Sequence, residues 1–467
     1  MSTMEQVPVQ GKYQPYPEYK DSGIEWLGNI PSNWSVYSLK RSVTGCTNGI
    51  WGDEPNGEND LIVLRVADFD RDKLLISDAK LTYRSISEKE SRSRLLTKGD
   101  LLIEKSGGGE KTLVGCVVLF DKDYAAVTSN FVAKMSPHDG YHSGFLNYAF
   151  SHLYNGRINY PSIKQTTGIQ NLDSESYLME HFCFPTYTEQ RTIASFLDYE
   201  TARIDKLIAQ QQRLIELLKE KRQAVISHAV TKGLNPDAPM KDSGLEWLGT
   251  VPEHWVVLSL RYVIRTLEQG KSPECEARLA ENDEWAVLKT GCVNGGIYSE
   301  KEHKALPSHI SPHVSFEVKR GDLLMSRASG SRNLIGAVAY VHETRQKLLL
   351  SDKIFRLILE PNIDPQYLSL LMSSRPLRVQ VEQAINGAEG LANNITKESI
   401  KSFAIVLPDV QEQLKIRSYL NQKLRKFENL EDKLKGGLVL LNERRSSLIS
   451  SAVTGKIDLR GWEKPDA

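Results

Sequence analysis

Lys20-Asp-Ser-Gly-Ile-Glu-Trp-Leu-Gly28 returns almost unchanged as Lys241-Asp-Ser-Gly-Leu-Glu-Trp-Leu-Gly249, an offset of 221 residues. The likeness continues through Pro31 and Trp34 against Pro252 and Trp255. It returns at Lys98-Gly-Asp-Leu-Leu102 and Arg320-Gly-Asp-Leu-Leu324, where the offset is 222. Pro185, Glu189, Gln190, Ile193 and Leu197 then match Pro408, Glu412, Gln413, Ile416 and Leu420, and Ala229-Val-Thr231 matches Ala452-Val-Thr454 at an offset of 223. A period this long is domain-sized, far beyond that of a solenoid. The chain is therefore one unit written twice, and between these landmarks the copies diverge almost completely. One framework carries two different variable regions, near residues 41–97 and 103–184 and at their counterparts in the second copy.

Working outward, each copy ends in a helical pattern. Glu189 to Lys232 contains no Gly or Pro, and Ile193, Leu197, Ile204, Leu207, Leu214, Leu218 and Val225 recur at spacings of three, four and seven. Ile416, Leu420, Phe427, Leu430, Leu434, Leu441 and Leu448 repeat the pattern. Such stripes predict two rods, each about 60 Å long at ~1.5 Å per residue, paired through an apolar seam. Gln211 interrupts the first seam, and Gly436-Gly437 interrupts the second, where a close helix crossing is expected. The variable regions read as α+β, with strands at Leu61–Leu64, Val114–Phe120 and Leu334–Tyr340 and helices near Gly144–Tyr154 and Asp364–Met372.

Composition sets outer bounds. The 467 residues are 40% hydrophobic and 25% charged, ordinary for folded domains and too apolar for a disordered chain. No apolar run approaches the ~18 residues of a membrane helix, and the first ten residues lack a signal-peptide core, so a cytoplasmic protein is expected. Five dispersed cysteines form no C-x-x-C pair and read as buried thiols. Lys plus Arg equals Asp plus Glu at 59 each, which is not the basic excess of a free-standing DNA binder.

Chemical motifs are scarce. Lys105-Ser-Gly-Gly-Gly-Glu-Lys-Thr112 has the wrong spacing for a phosphate-binding loop, because Glu110 and Ser106 stand where glycines are needed. Pro312 separates His309 from His313, and Gly140 separates His138 from His142, so neither pair is set to share a metal. No nucleophile elbow, nucleotide fingerprint or amino-methyltransferase tetrapeptide occurs. Trp26, Trp34, Trp247 and Trp255, inside the repeated frame, are expected as structural anchors rather than base-stacking platforms. A chain of this length without a catalytic signature points to recognition. The loops after the Gly-Asp-Leu-Leu strands keep cations, hydroxyls and free amides in both copies, which suits phosphates and base edges as well as an ordinary solvated hairpin.

The Lys20–Gly28 segment with Pro31 and Trp34, the Gly-Asp-Leu-Leu strands and the Glu189-Gln190 rod ending in Ala229-Val-Thr231 resemble the specificity subunits of Type I restriction-modification systems over nearly the whole chain. The resemblance implies an α+β chain of two tandem target-recognition domains, joined by two long antiparallel coiled-coil helices with an internal pseudo-twofold repeat. It gives an N-terminal tail at 1–19, recognition domains at 20–187 and 241–410, spacer helices at 188–232 and 411–452, a linker at 233–240 and a C-terminal tail at 453–467. Each domain would read one half of a bipartite site on double-stranded DNA. Two modification subunits would bring S-adenosylmethionine, and restriction subunits ATP and Mg, with no cofactor or metal on this chain and no catalysis by it alone. Candidate readers are Arg65, Lys105, Ser106, Lys111, Asn130, Lys164 and Gln165 in the first copy, and Lys289, Asn294, Arg327, Ser329, Arg332, Asn393 and Asn394 in the second. A twofold coiled-coil adaptor that binds proteins without DNA contact is the alternative reading.

Overall fold

The computed structural model describes residues 13–108, 112–166, 168–385 and 393–465. Two compact units are present, one built from Met1–Gln211 with Gly436–Ala467, the other from Gln212–Lys435. Neither coincides with one copy of the repeat, because the two long helices, Tyr187–Lys232 and Val410–Val453, each contribute to both units.

In the first unit a six-stranded sheet runs in the order Thr47–Asn48, Val132–Met135, Leu101–Glu104, Val117–Leu119, Leu75–Ile76, Phe69–Asp70. The second unit keeps its middle as Ile264–Gln269, Ile354–Leu359, Leu323–Ser326, Val338–Tyr340. Both add a parallel pair, Asp60–Leu64 with Ala126–Thr128 and Ala286–Leu288 with Leu348–Leu349. The Gly-Asp-Leu-Leu motif supplies the central strand in each case, so its leucines are fully buried. Helices Ser143–Asn155 and Pro365–Met372 cover the sheets close to where the sequence pattern places them.

The remaining landmarks build one junction per unit. Trp34 is fully buried and its indole N–H donates to Glu189 Oε1 at 3.0 Å, where the Tyr16 hydroxyl also donates at 2.5 Å. In the second unit the Trp255 indole N–H donates to Glu412 Oε2 at 3.0 Å, and His254 Nε2 lies 2.8 Å from the same atom. Both carboxylates sit in the first turn of a long helix, where the helix dipole favours negative charge. Gly455 and Gly233 close the other ends with φ of +70° and +78°. A Cβ on Gly455 would come within 2.4 Å of Pro31, so the chain needs glycine there for space as well as for φ. Lys456 Nζ then donates to Asn29 O at 2.6 Å, as Lys232 Nζ does to Leu248 O at 3.2 Å.

Within the first unit the helical segments are antiparallel. Arg445 Nε lies 3.1 Å from Asp205 Oδ1, while further along the first helix Gln211 faces Gly437, earlier on the second. Within the second unit Arg222 faces Glu428 at 3.9 Å, and Gly233 lies against Glu412. The ends expected as tails are tied down: Tyr16 packs into the first unit's core with Leu448, Val453, Ile457 and Leu459.

The seam differs from the expected one. Ile193, Leu197, Ile204, Ile416, Leu420 and Leu448 are buried, and Leu218, Val225, Phe427, Leu434 and Leu441 are half-buried, but Leu207, Leu214 and Leu430 are exposed. Apolar residues come in adjacent pairs here, Leu207-Ile208 and Leu214-Ile215, and the inward line takes the second of each, running through Ile208, Gln211 and Ile215. Counting three-four rather than four-three from Ile204 selects the outward member. Two other expectations also change. Trp34 and Trp255 are buried anchors, whereas Trp26 and Trp247 stay exposed. Cys116, Cys183 and Cys292 are buried, and Cys46 and Cys275 only partly so.

The second long helix runs unbroken through Gly436-Gly437, and only one of the two glycines is needed for packing. A Cβ on Gly437 would lie 2.8 Å from Gln211 Oε1, whereas one on Gly436 meets nothing within 4 Å. Gly436→Ala should therefore stabilise the protein by about 1 kcal/mol through helix propensity alone. Gly437→Ala should fall short of that gain and recover it in a Gln211→Ala background; urea denaturation of the four-member cycle checks this, and strict additivity would contradict it.

His152 is half-buried between Trp26 and Phe182, with ring centroids 6.2 and 6.4 Å away. Burial pushes its imidazole from 6.5 down to about 4. The unfolded chain then takes up a proton at higher pH than the native one, so stability present above pH 6.5 is lost as pH falls toward 4. Urea midpoints of the wild type minus those of His152→Gln should narrow across that interval; a constant difference would refute the assignment.

Candidate nucleic-acid interface

After the central strand of the first unit, Lys105 leads into the short strand Ser106–Gly107, which pairs antiparallel with Ile169–Leu172. Ser106 stands opposite Asn171, and its hydroxyl donates to Asn171 Oδ1 at 2.6 Å. Strand Ile163–Thr166 completes this ribbon and places Lys164 opposite Asn171 and Gln165 opposite Gln170. In the second unit Ala328–Ser329 pairs with Asn393–Asn394 in the same register. The anchoring is the same too: Leu172 N donates to Lys105 O at 2.8 Å, and Ile395 N to Arg327 O at 3.0 Å. Each unit therefore projects a small polar ribbon from the end of its central strand.

The sequence-expected residues divide between places. Arg65, Ser106 and Asn130 line one cleft of about 530 Å³ with Trp51, Phe131 and Ile169. Lys105 stands beside them, its Nζ donating to Asn48 Oδ1 at 2.7 Å. Arg327, Ser329, Asn393 and Asn394 meet on the second ribbon, but the Asn393 side chain is buried, so the half-exposed Asn394 is the member that faces outward. Arg332 turns toward helix Arg375–Ala384, whose Arg378 Nη2 donates to Arg332 O at 2.8 Å. Lys289 and Asn294 stand on the turn after strand Ala286–Leu288, Lys289 following that strand as Arg65 follows Asp60–Leu64. Lys111 falls outside the described residues.

Two of the cations already carry a partner. Arg65 Nη2 lies 2.8 Å from Asp68 Oδ1, and Lys164 Nζ lies 2.8 Å from Asp173 Oδ2. Below the first ribbon Glu104 is almost wholly buried and bound to Arg71 at 2.6 Å. Burial pushes its carboxyl above the usual carboxylate range, and Arg71 pulls the other way. Arg71 also donates to the Tyr154 hydroxyl at 3.1 Å, which donates in turn to Leu113 O at 2.8 Å. This network holds both roots of the loop above it, whereas Ser326 occupies the place of Glu104 in the second unit.

Sequence reading missed Trp51, Phe131, Ile169 and Asn171. The signal was available: the offset of 222 that relates Lys105 to Arg327 also sets Phe131 against Lys353, an aromatic against a cation in a shared frame. Among the described residues no group of three or more His, Cys, Asp or Glu could hold a metal, and no helix is long and apolar enough to cross a membrane.

Residues 252–436 match the family model for the Type I restriction modification DNA specificity domain. Over 450 residues the chain is 24% identical to the EcoKI specificity subunit of Escherichia coli K12, covering 94% of this chain and 92% of that one. Both comparisons make the chain similar to the Type I restriction specificity subunits. A second relative from this family, the EcoEI specificity subunit of Escherichia coli, is 28% identical over 243 residues, 50% of this chain but 40% of that protein. The fold agrees with a chain from a structural study of complex assembly and conformational transition in the type I R-M system, at a TM-score of 0.67 and 13% identity, over 91% of this chain and 98% of that one. The divergence between the two copies takes in the ribbons together with the rest of the variable regions.

Proposed function

We propose that each unit of this specificity subunit reads one half of a bipartite site on duplex DNA, with its ribbon and neighbouring turns entering the major groove. The observation that carries the reading is the pair of equivalent ribbons, rooted identically at Lys105 and Arg327 yet bearing unlike side chains. Arg, Lys, Asn and Gln are the residue types that discriminate base edges there. The repeated junctions give two modification subunits the same framework to dock on, and those subunits bring S-adenosylmethionine and the methylation chemistry. Restriction subunits bring ATP and Mg, while this chain selects the sequence and catalyses nothing alone. The setting is cytoplasmic.

The test is methylome sequencing of cells that express this chain with its modification partner. Exchange of residues 41–184 for the corresponding region of another specificity subunit should change one half-site and leave the other intact. A change in both halves, or in neither, would refute the modular reading.

We propose further that the two long helices fix the unread gap. One heptad inserted at facing positions of both adds about 10 Å of rise. That corresponds to about 3 base pairs of duplex. The methylated site should widen by that amount, and unchanged spacing would sink the ruler.

A further inference from the structure

The two units present opposite surfaces at the same place in the frame. Lys105 N donates to Phe131 O at 2.8 Å, and Arg327 N to Lys353 O at 2.8 Å, so Phe131 and Lys353 are equivalent. Gly49 presses against Thr128 O, and Gly270 against Leu350 O, so closely that a Cβ would come within 2.1 and 2.0 Å. Two residues on from these glycines stand Trp51 in the first unit and Ser272 in the second, where the Ser272 hydroxyl donates to the Asp352 carboxylate. The first unit is thus aromatic where the second is polar and charged.

Trp51, Phe131 and Ile169 remain 37%, 54% and 51% exposed and line one cleft with Arg65, Ser106 and Asn130. Three large apolar side chains left open together are unusual on a soluble surface and mark a contact site. The Arg84 guanidinium sits 4.7 Å from the centre of the Trp51 ring, which holds that platform in place. The polar members at the rim suit base edges, and the major groove offers one apolar group, the 5-methyl of thymine.

We propose that the half-site read by the first unit contains a thymine whose 5-methyl group packs on Trp51, Phe131 and Ile169. The proposal rests on the reading of the units as half-site readers and names the chemistry one of them selects. The experiment uses the full chain bound to its modification partner and a duplex carrying the mapped site, with each thymine of the first half, on either strand, replaced singly by deoxyuridine. At one position or more, affinity should fall about fourfold, the value of one buried methyl-sized group. The same replacement should cost nothing further in a Phe131→Ala complex. Specific binding with every uracil replacement neutral, or a first half without thymine on either strand, would overturn the thymine contact. Binding no better than to random duplex would instead count against the half-site reading itself.

Discussion

A buried indole bound to a carboxylate at the start of a long helix is the constraint on which each unit depends. Trp34 and Glu189 form it in the first unit, Trp255 and Glu412 in the second. Glu189 is itself 5% exposed, and a carboxylate so placed is tolerable only with donors on it. Tyr16 and Trp34 supply them, which ties the N-terminal segment, the Pro31 turn and the helix start to one charge. The facing segment then has to arrive without a side chain, and Gly455 does so, with Lys456 donating to the carbonyls of Leu27 and Asn29. Residues more than 420 positions apart in sequence therefore close one core, which is why the repeat survives at these positions and drifts between them.

The central strand transmits that constraint to the recognition surface. Buried leucines on both faces fix Leu101–Glu104 and Leu323–Ser326, so the residue that follows each has little freedom, and Lys105 and Arg327 bind their neighbours through the same backbone pattern. Beyond them each ribbon alternates a buried residue, Gln170 or Asn393, with a more exposed one, Asn171 or Asn394. The first copy has a buried Arg71–Glu104 pair beneath an aromatic cleft, and the second has a buried Ser326 in the place of Glu104. A framework that fixes the backbone and lets the side chains differ is what the proposed pair of half-site readers requires.

Much of this was legible in the sequence because it is periodic or repeated. The long helices end within a residue or two of the expected positions, because Pro185 and Pro408 precede them and Gly233 and Gly455 follow. The inward seam was not fully legible: with Leu207-Ile208 and Leu214-Ile215 both apolar, periodicity offers two phases, and the facing helix chooses between them. The cleft was less legible still. Trp51 and Phe131 look like ordinary core residues in a linear reading, and their exposure emerges only when strand pairing brings the turn at Asn130 beside Ser106. The burial of Asn393 was hidden for the converse reason, since an Asn in a polar stretch gives no hint that the ribbon will cover it.

The zero net charge is 59 basic against 59 acidic residues, and several of the cations are held within their own unit. Arg65, Lys164, Arg278 and Arg356 are each committed to a carboxylate of their own unit. A cation held this way orients loops but brings little net attraction to a phosphate, because its field is largely cancelled at its partner's distance. A cation paired in this way fixes the shape of its loop and adds less to the long-range pull that nonspecific DNA binding depends on. On the proposed reading, discrimination and attraction are then separable properties, the first resting on the ribbons of this chain and the second on the partners that would surround the duplex with it.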